Sequence, residues 1–366
     1  MKRMGVDSTC LVAKANFFDF GGDEVLSRPG DSRVIYEVRR LRALSYIFRY
    51  NVIFFNFGKS LYAPITPMPH GWQRIMTLSY NIVMRAIQQV ELAVLKFRKC
   101  TLLVQYQGDD ARQGDTLERL YSYSHLTEVE PDYYTRESDR LKRTQISLFS
   151  KYCQVIYALN PDLLQVLPKS SKFLPYAAID IADWPATFRP RTRQSIRIGH
   201  APTNRSVKGT QYVLETVADL RDEGYPVELV LIEGLSNSEA RAKYQSIDLM
   251  IDQLFVGWYG GLAVEAMALG KPVIAYIREE DLHAIPSDMR RDVPIITATR
   301  KTLKAALKQV VELSDAEWLA LQHRSREYVG KWHNPKTICE RILEDISRMQ
   351  DPKPSSKKPV RRAPSG

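Results

Sequence analysis

Short apolar runs of strand length alternate with stretches in which apolar residues return every three or four positions. That alternation is the mark of an α/β chain with parallel sheets. In the first half it predicts strands over Thr9–Val12, Val52–Phe57, Thr101–Tyr106 and Gln154–Leu159. The later runs end in polar or glycine-containing turns: Asn56-Phe57-Gly58, Gln107-Gly108-Asp109-Asp110 and Asn160-Pro161-Asp162. Parallel sheets carry their functional loops at strand C-termini, so these turns are expected along one edge. Leu78 to Phe97 is broken by Arg85, Gln88, Gln89 and Glu91 and reads as a helix with one buried face.

From Phe173 the pattern weakens and proline recurs at 175, 185 and 190. A clearer second set follows. Strands are expected over Ile196–His200, Val227–Ile232, Leu249–Asp252 and Val273–Tyr276. Helices are expected over Gln211–Glu223, Ser238–Gln245 and Leu262–Leu269, the first and last closed by Gly224 and Gly270. A final helix over roughly Pro335–Met349 follows Trp332 and His333. The predicted organisation is a first α/β domain over 1–175, a linker over 176–195, a second α/β domain over 196–332, a C-terminal helix over 333–350 and a basic disordered tail over 351–366.

Composition narrows this only a little. At 366 residues, 44% hydrophobic and 26% charged, the chain is too long for one ordinary core and too apolar to be mostly disordered. No apolar run reaches the roughly 20 residues of a membrane-spanning helix, and the N-terminus lacks the apolar stretch of a signal peptide. Cys10, Cys100, Cys153 and Cys339 lie far apart with no Cys-x-x-Cys pair, and read as reduced core thiols of a cytoplasmic protein. The net charge of +10 is uneven: 24 basic against 18 acidic residues over 1–180, balance over 181–350, and five against one in the tail. Arg39, Arg40, Arg42 and Arg49 are interleaved with Leu41, Leu44, Tyr46, Ile47, Phe48 and Tyr50. Such a strip suits an anionic membrane surface, a phosphorylated partner or an ordinary solvated helix face. The neutral C-terminal part and the lack of an aromatic-basic sheet motif argue against nucleic acid.

The chemistry concentrates between Asp252 and Val273. A strand ends, a loop containing Gly257, Gly260 and Gly261 turns, and a short apolar helix begins. Free amides at such a helix start form an anion site. Glu265, four residues in, keeps small apolar company; a carboxylate there can accept both hydroxyls of a vicinal diol such as ribose. In the loop His200–Thr210, directly after a strand, Arg205 and Lys208 are close enough to clamp a diphosphate.

The ordered strings N-R-x-x-K-G-T, V-L-I-E-G, I-D-Q-L and G-W-Y-G-G-L-A-V-E-A-M-A-L-G-K-P-V resemble the C-terminal domain of family 4-type (group 1) glycosyltransferases. The match is strongest over 195–280. The resemblance implies a GT-B fold, two Rossmann-like domains facing across a cleft. It also implies that Glu265 holds the nucleotide ribose, that Arg205 and Lys208 bind the donor diphosphate, and that the amides around Gly260 and Gly261 touch its phosphate or sugar.

Three departures stand out. The family's second glutamate, eight positions before Glu265, is Gly257 here, which leaves Asp252 as the candidate in its place. Arg205 and Lys208 are three apart where about five is commoner. The N-terminus reads like the end of a first helix running into a second strand, so either the true start lies elsewhere or the N-terminal domain is incomplete.

No Asp-x-Asp string occurs, and His70, His125, His200, His283, His323 and His333 show no ligand spacing. No metal and no cofactor is expected, and no catalytic residue is assigned. His200 ends a strand facing the cleft, where it would contact acceptor or sugar or, more readily, take a core or supporting role. Gly108, Asp109 and Arg112 sit on a turn facing the donor, where they would either contact sugar or acceptor or simply make the turn. Trp258 and Tyr259 would stack on a ligand or fill the underside of their loop. The resulting expectation is a cytoplasmic glycosyltransferase, retaining, metal-independent and peripheral to the inner membrane face. It would move a sugar from a nucleotide-sugar to a glycan or lipid-linked acceptor in surface polysaccharide synthesis. A nucleotide-sugar epimerase and a non-catalytic GT-B descendant that binds nucleotide or glycan are the alternatives.

Overall fold

The computed structural model describes residues 1–14, 22–65, 71–177, 179–190 and 195–350; the expected tail at 351–366 and part of the linker lie outside them. Near the start, Leu11–Val12 (β1) pairs in parallel with Glu24–Val25 (β2) in a ladder of its own. The strand expected over Thr9–Val12 is therefore shorter and apart from the main sheets, because the Cys10 amide is taken by the Asp23 carboxylate.

Arg33–Arg49 (α1) opens on a Ser32 side-chain cap. Next come Val52–Asn56 (β3), the long helix Gly71–Phe97 (α2), Thr101–Tyr106 (β4), Gly114–Leu120 (α3), Arg136–Tyr152 (α4), Val155–Ala158 (β5) and Lys172–Phe173 (β6). Strands β3-β4-β5-β6 pair in parallel in that order. β4 and β5 are buried almost throughout, as parallel strands covered on both faces are.

The second half contains Ile196–His200 (β7), Arg205–Lys208 (α5), Thr210–Asp222 (α6), Val227–Leu231 (β8), Asn237–Gln245 (α7) and Leu249–Ile251 (β9). It continues with Gly261–Ala268 (α8), Val273–Ala275 (β10), Ser287–Asp292 (α9), Ile296–Thr297 (β11), Leu303–Glu312 (α10), Asp315–Trp332 (α11) and Pro335–Gln350 (α12). Capping boxes, Ser236 with Glu239 and Ser314 with Glu317, start α7 and α11. The sheet order is β11-β10-β9-β7-β8, all parallel. β7 thus has β8 on one side and β9 on the other, so the connections diverge there and open a crevice at the strand C-termini, the place where such sheets bind ligands.

Two features join the halves. Helix α12 returns to the first sheet, where Ile338, Ile342 and Ile346 pack against Leu103, Val155, Tyr157 and Leu174, and Asp345 accepts from the Tyr157 hydroxyl at 2.8 Å. Residues 121–128, after α3, strap onto the second half. Tyr121 donates to Asp281 at 2.9 Å, and Tyr123 donates to the Leu254 carbonyl at 2.9 Å while accepting from the Arg300 amide. Glu128 accepts from Tyr212 at 2.8 Å and pairs with Arg300.

All four cysteines are free, but only Cys100 is buried and Cys10 is exposed, so they are not uniformly core thiols. Among the described residues no helix is long and apolar enough to cross a membrane.

Candidate functional site

The crevice at β7 and β9 gathers the donor-site candidates. Arg205 and Lys208 share the single turn of α5, which Asn204 caps by accepting from the Val207 amide. Gly209 then leaves in the left-handed region at φ 76°, where a side chain would meet Phe255 at 2.8 Å. Lys208 forms an ion pair with Asp252, which is fully buried, and the other oxygen of Asp252 accepts from the Gly260 amide at 2.6 Å. Asp252, the candidate to replace the missing glutamate, has both oxygens engaged and holds Lys208 beside the start of α8. Arg205 closes a bidentate pair on Glu233 at 2.8 and 2.5 Å. Glu233 belongs to the V-L-I-E-G string but had no role in the sequence reading.

The first amides of α8 have no acceptor within the helix, and a side chain at Gly261 would meet nothing within 4 Å, so the helix start opens onto free space. Glu265, one turn on and on the same side as Gly261, accepts no hydrogen bond among the described residues; burial pushes its carboxyl up to about 7, against the attraction of Arg241. A half-buried, unpartnered carboxylate with that affinity for protons is poised to accept hydroxyl hydrogens.

Gly257 is where the family's other glutamate would stand. Its φ is +86°, and an added Cβ would lie 2.6 Å from the guanidinium of Arg278. Arg278, which the sequence reading missed, is buried. It donates to the carbonyls of Val256 and Tyr123, pairs with Asp281 at 3.1 Å and stacks 3.6 Å over the Tyr121 ring. Its position directly after a strand of the second sheet was the available signal. Gly257→Ala is expected to cost about 2 kcal/mol, from the left-handed backbone and the displaced guanidinium together, read as a lower midpoint in urea at unchanged slope.

The remaining candidates are held inside the protein. His200 is fully buried, with Nδ1 on the Ile251 carbonyl and Nε2 on the Thr210 hydroxyl, both at 2.9 Å. Burial lowers its pKa to about 4. The ring ties β7 to β9 and α6, and is not presented to an acceptor. Across the crevice the β4 and β5 turns meet as expected: Asn160 donates to the Gln107 carbonyl at 2.6 Å. Arg112 is buried and bidentate on Asp162 at 2.6 and 3.2 Å. Asp109 accepts from Tyr133 and Tyr134, both at 2.6 Å; burial alone would raise its pKa, but Arg112 and these hydroxyls bring it down to about 2. A side chain at Gly108 would press on Arg112 at 3.1 Å. Arg112 and Asp109 thus form an internal network. Tyr176 donates to Asn160 at 3.4 Å, and Arg112 and Asp252 both act on its hydroxyl electrostatically. Trp258 and Tyr259 are buried, with Tyr259 bonded to Tyr328 and His333, so they fill the underside of the loop.

Two parallel α/β halves, strapped together over a crevice at the strand C-termini, have the GT-B fold. Among solved structures the chain is similar to HepE from Anabaena, described in complex with UDP-glucose. The two share 11% identity at a TM-score of 0.54, over 93% of this chain and 100% of that one. It is also similar to sucrose-phosphate synthase from Thermosynechococcus elongatus, at 11% identity and a TM-score of 0.51, over 87% of this chain and 78% of that one. No family model and no curated protein sequence matches the chain significantly.

Proposed function

We propose that the protein is a glycosyltransferase that moves a sugar from a nucleotide-sugar donor to a glycan or lipid-linked acceptor in surface polysaccharide synthesis. The observation that carries this reading is the unpartnered carboxylate of Glu265, one turn along α8 from an open helix start that Lys208 flanks. Glu265 would accept the ribose hydroxyls. The α8 amides, Lys208 and Arg205 would take the diphosphate, whose oxygens offer those cations a stronger partner than Glu233 and Asp252 do. The sugar would then point across the crevice to the turn at Gly108, where the acceptor enters. Fixed cations and the helix start neutralise the leaving diphosphate, so we read the transfer as metal-independent, and as retaining by its resemblance to group 1 enzymes. The description of HepE with UDP-glucose makes uridine the first base to try.

The test is calorimetric titration with UDP, GDP, ADP and their sugar conjugates, followed by turnover with and without EDTA. Because ribose binding requires ionised Glu265, whose pKa stands at about 7, nucleotide affinity should rise about tenfold from pH 6 to pH 8. Affinity that is flat across that range would remove Glu265 from the ribose site.

A second reading, nucleotide binding without transfer, draws on Gly257 and on the closed pairs of Arg205 and Lys208. Tight binding with neither transfer nor hydrolysis would favour it, whereas release of an epimer without acceptor would favour an epimerase.

A further inference from the structure

Among the described residues, nineteen large apolar side chains are exposed, and sixteen of them fall between Val34 and Phe97. On α1 the stripe Val34, Val38, Leu41 and Phe48 follows the helical repeat on the outer side. Helix α2 mixes polar groups among the Met84, Leu92 and Leu95 side chains it buries. Its inner side carries Asn81, which exchanges two hydrogen bonds with the Ile65 backbone, Gln88, which donates to Ser60, and Glu91, which accepts from the Leu61 and Tyr62 amides. Its outer side carries Ile75, Ile82, Val83, Val90 and Phe97, with Ile82 at 70% and Phe97 at 89% exposure. The two helices are neighbours, since Arg40 of α1 reaches Met84 of α2 at 3.2 Å. An exposed apolar face of this extent, with polar groups placed on the buried side, departs from an ordinary solvated helix and marks a contact with an apolar phase.

Charge says which phase. Residues 33–99 hold eleven basic and two acidic side chains, nearly the whole excess of the chain. Both acids are engaged within the protein, Glu91 on backbone amides and Glu37 on Arg40. Arg39 and Arg40 are likewise taken up inside, by Asp31 and by Glu37 with the Tyr62 ring. Arg33, Arg42, Lys96 and Lys99 remain exposed around the apolar stripes. A second copy meeting this face symmetrically would bring two strongly positive surfaces together. We propose that the outer faces of α1 and α2 dock on an anionic lipid bilayer, lying in the interface with their apolar stripes among the acyl chains and their cations on the headgroups.

The chain contains its own probe. Trp72, at the start of α2, is 72% exposed, while Trp184, Trp258, Trp318 and Trp332 are buried. Full-length protein without nucleotide is mixed with vesicles of phosphatidylcholine, plain or with roughly a third phosphatidylglycerol, so the result stands apart from the donor site. Sedimentation should be at least about tenfold stronger with the anionic vesicles and fall with salt. Emission should shift to the blue, and Trp72→Phe should abolish the shift. The double variant Ile82→Glu with Val90→Glu, folded by its melting curve, should lose more than about tenfold in affinity. Equal binding to both vesicle types, or none, would overturn the proposal. So would a concentration-dependent dimer that the double variant dissolves and that ignores vesicles, which would assign the face to a second copy.

Discussion

Glu265→Ala should weaken nucleotide binding by about two orders of magnitude and leave the chain folded. Two charge-assisted hydrogen bonds from a ribose to one carboxylate are together worth about 3 kcal/mol. The carboxylate has no hydrogen bond inside the protein to lose. Its isostere carries a sharper signature. The folded-state pKa of Glu265 is raised from 4.5 to about 7, so the fold favours the protonated acid. Its burial costs little below the unfolded value and progressively more as pH climbs towards the folded one. Glu265→Gln should therefore match the parent near pH 4.5 and exceed it by about 2 kcal/mol at pH 8, discounted for partial exposure, while binding nucleotide no better than the alanine variant. Urea melts at the two pH values, paired with calorimetry, check both halves. A destabilised glutamine variant would mean that the carboxylate is held by the protein rather than by a ligand.

Arg112→Met should cost about 3–5 kcal/mol. Arg112 and Asp162 are both buried and joined by two hydrogen bonds, and Asp109 stands 3.6 Å from the same guanidinium. Removing the cation strands a buried carboxylate, which is far more costly than the pair itself is favourable. The companion Arg112→Met with Asp162→Leu should recover most of the loss, because an apolar pair leaves nothing unsolvated. A single variant as stable as the parent would show that the network is open to water. It would also return Arg112 to the role of a ligand contact.

The elements most legible in the sequence are those whose burial is nearly complete. Thr101–Tyr106 and Ile196–His200 were read with the bounds the structure has, because runs of β-branched and apolar residues leave no other period to choose. The helix that carries Glu265 was read to within a residue, from Gly260-Gly261 at one end and Gly270 at the other. Where reading failed, the cause was a partner distant in sequence. Nothing in the residues around Asp252 says that its carboxylate closes on Lys208 and the Gly260 amide. Gly257 looked like a loss, whereas Arg278, twenty-one positions later, occupies its space. His200 was open to a core or a cleft role and Arg112 to a turn or a ligand role, because chain position alone does not reveal burial. Helix α2 does bury one face, through Met84, Leu92 and Leu95, but Gln88 and Glu91 share that face because the loop at 60–65 supplies their hydrogen-bond partners, which the sequence around them does not show.

The return of α12 to the first sheet has a bearing on how the chain is made. A ribosome delivers residues 52–173 first, yet the face formed by Leu103, Val155, Tyr157 and Leu174 is covered only when Ile338, Ile342 and Ile346 emerge. The second half, whose cores draw almost wholly on residues already released by Trp332, can close before that. Vectorial synthesis therefore finishes the early half last. During that interval its uncovered face is the natural client surface for a chaperone, and a nascent chain stalled before residue 338 would be marked for degradation even where its second half had folded.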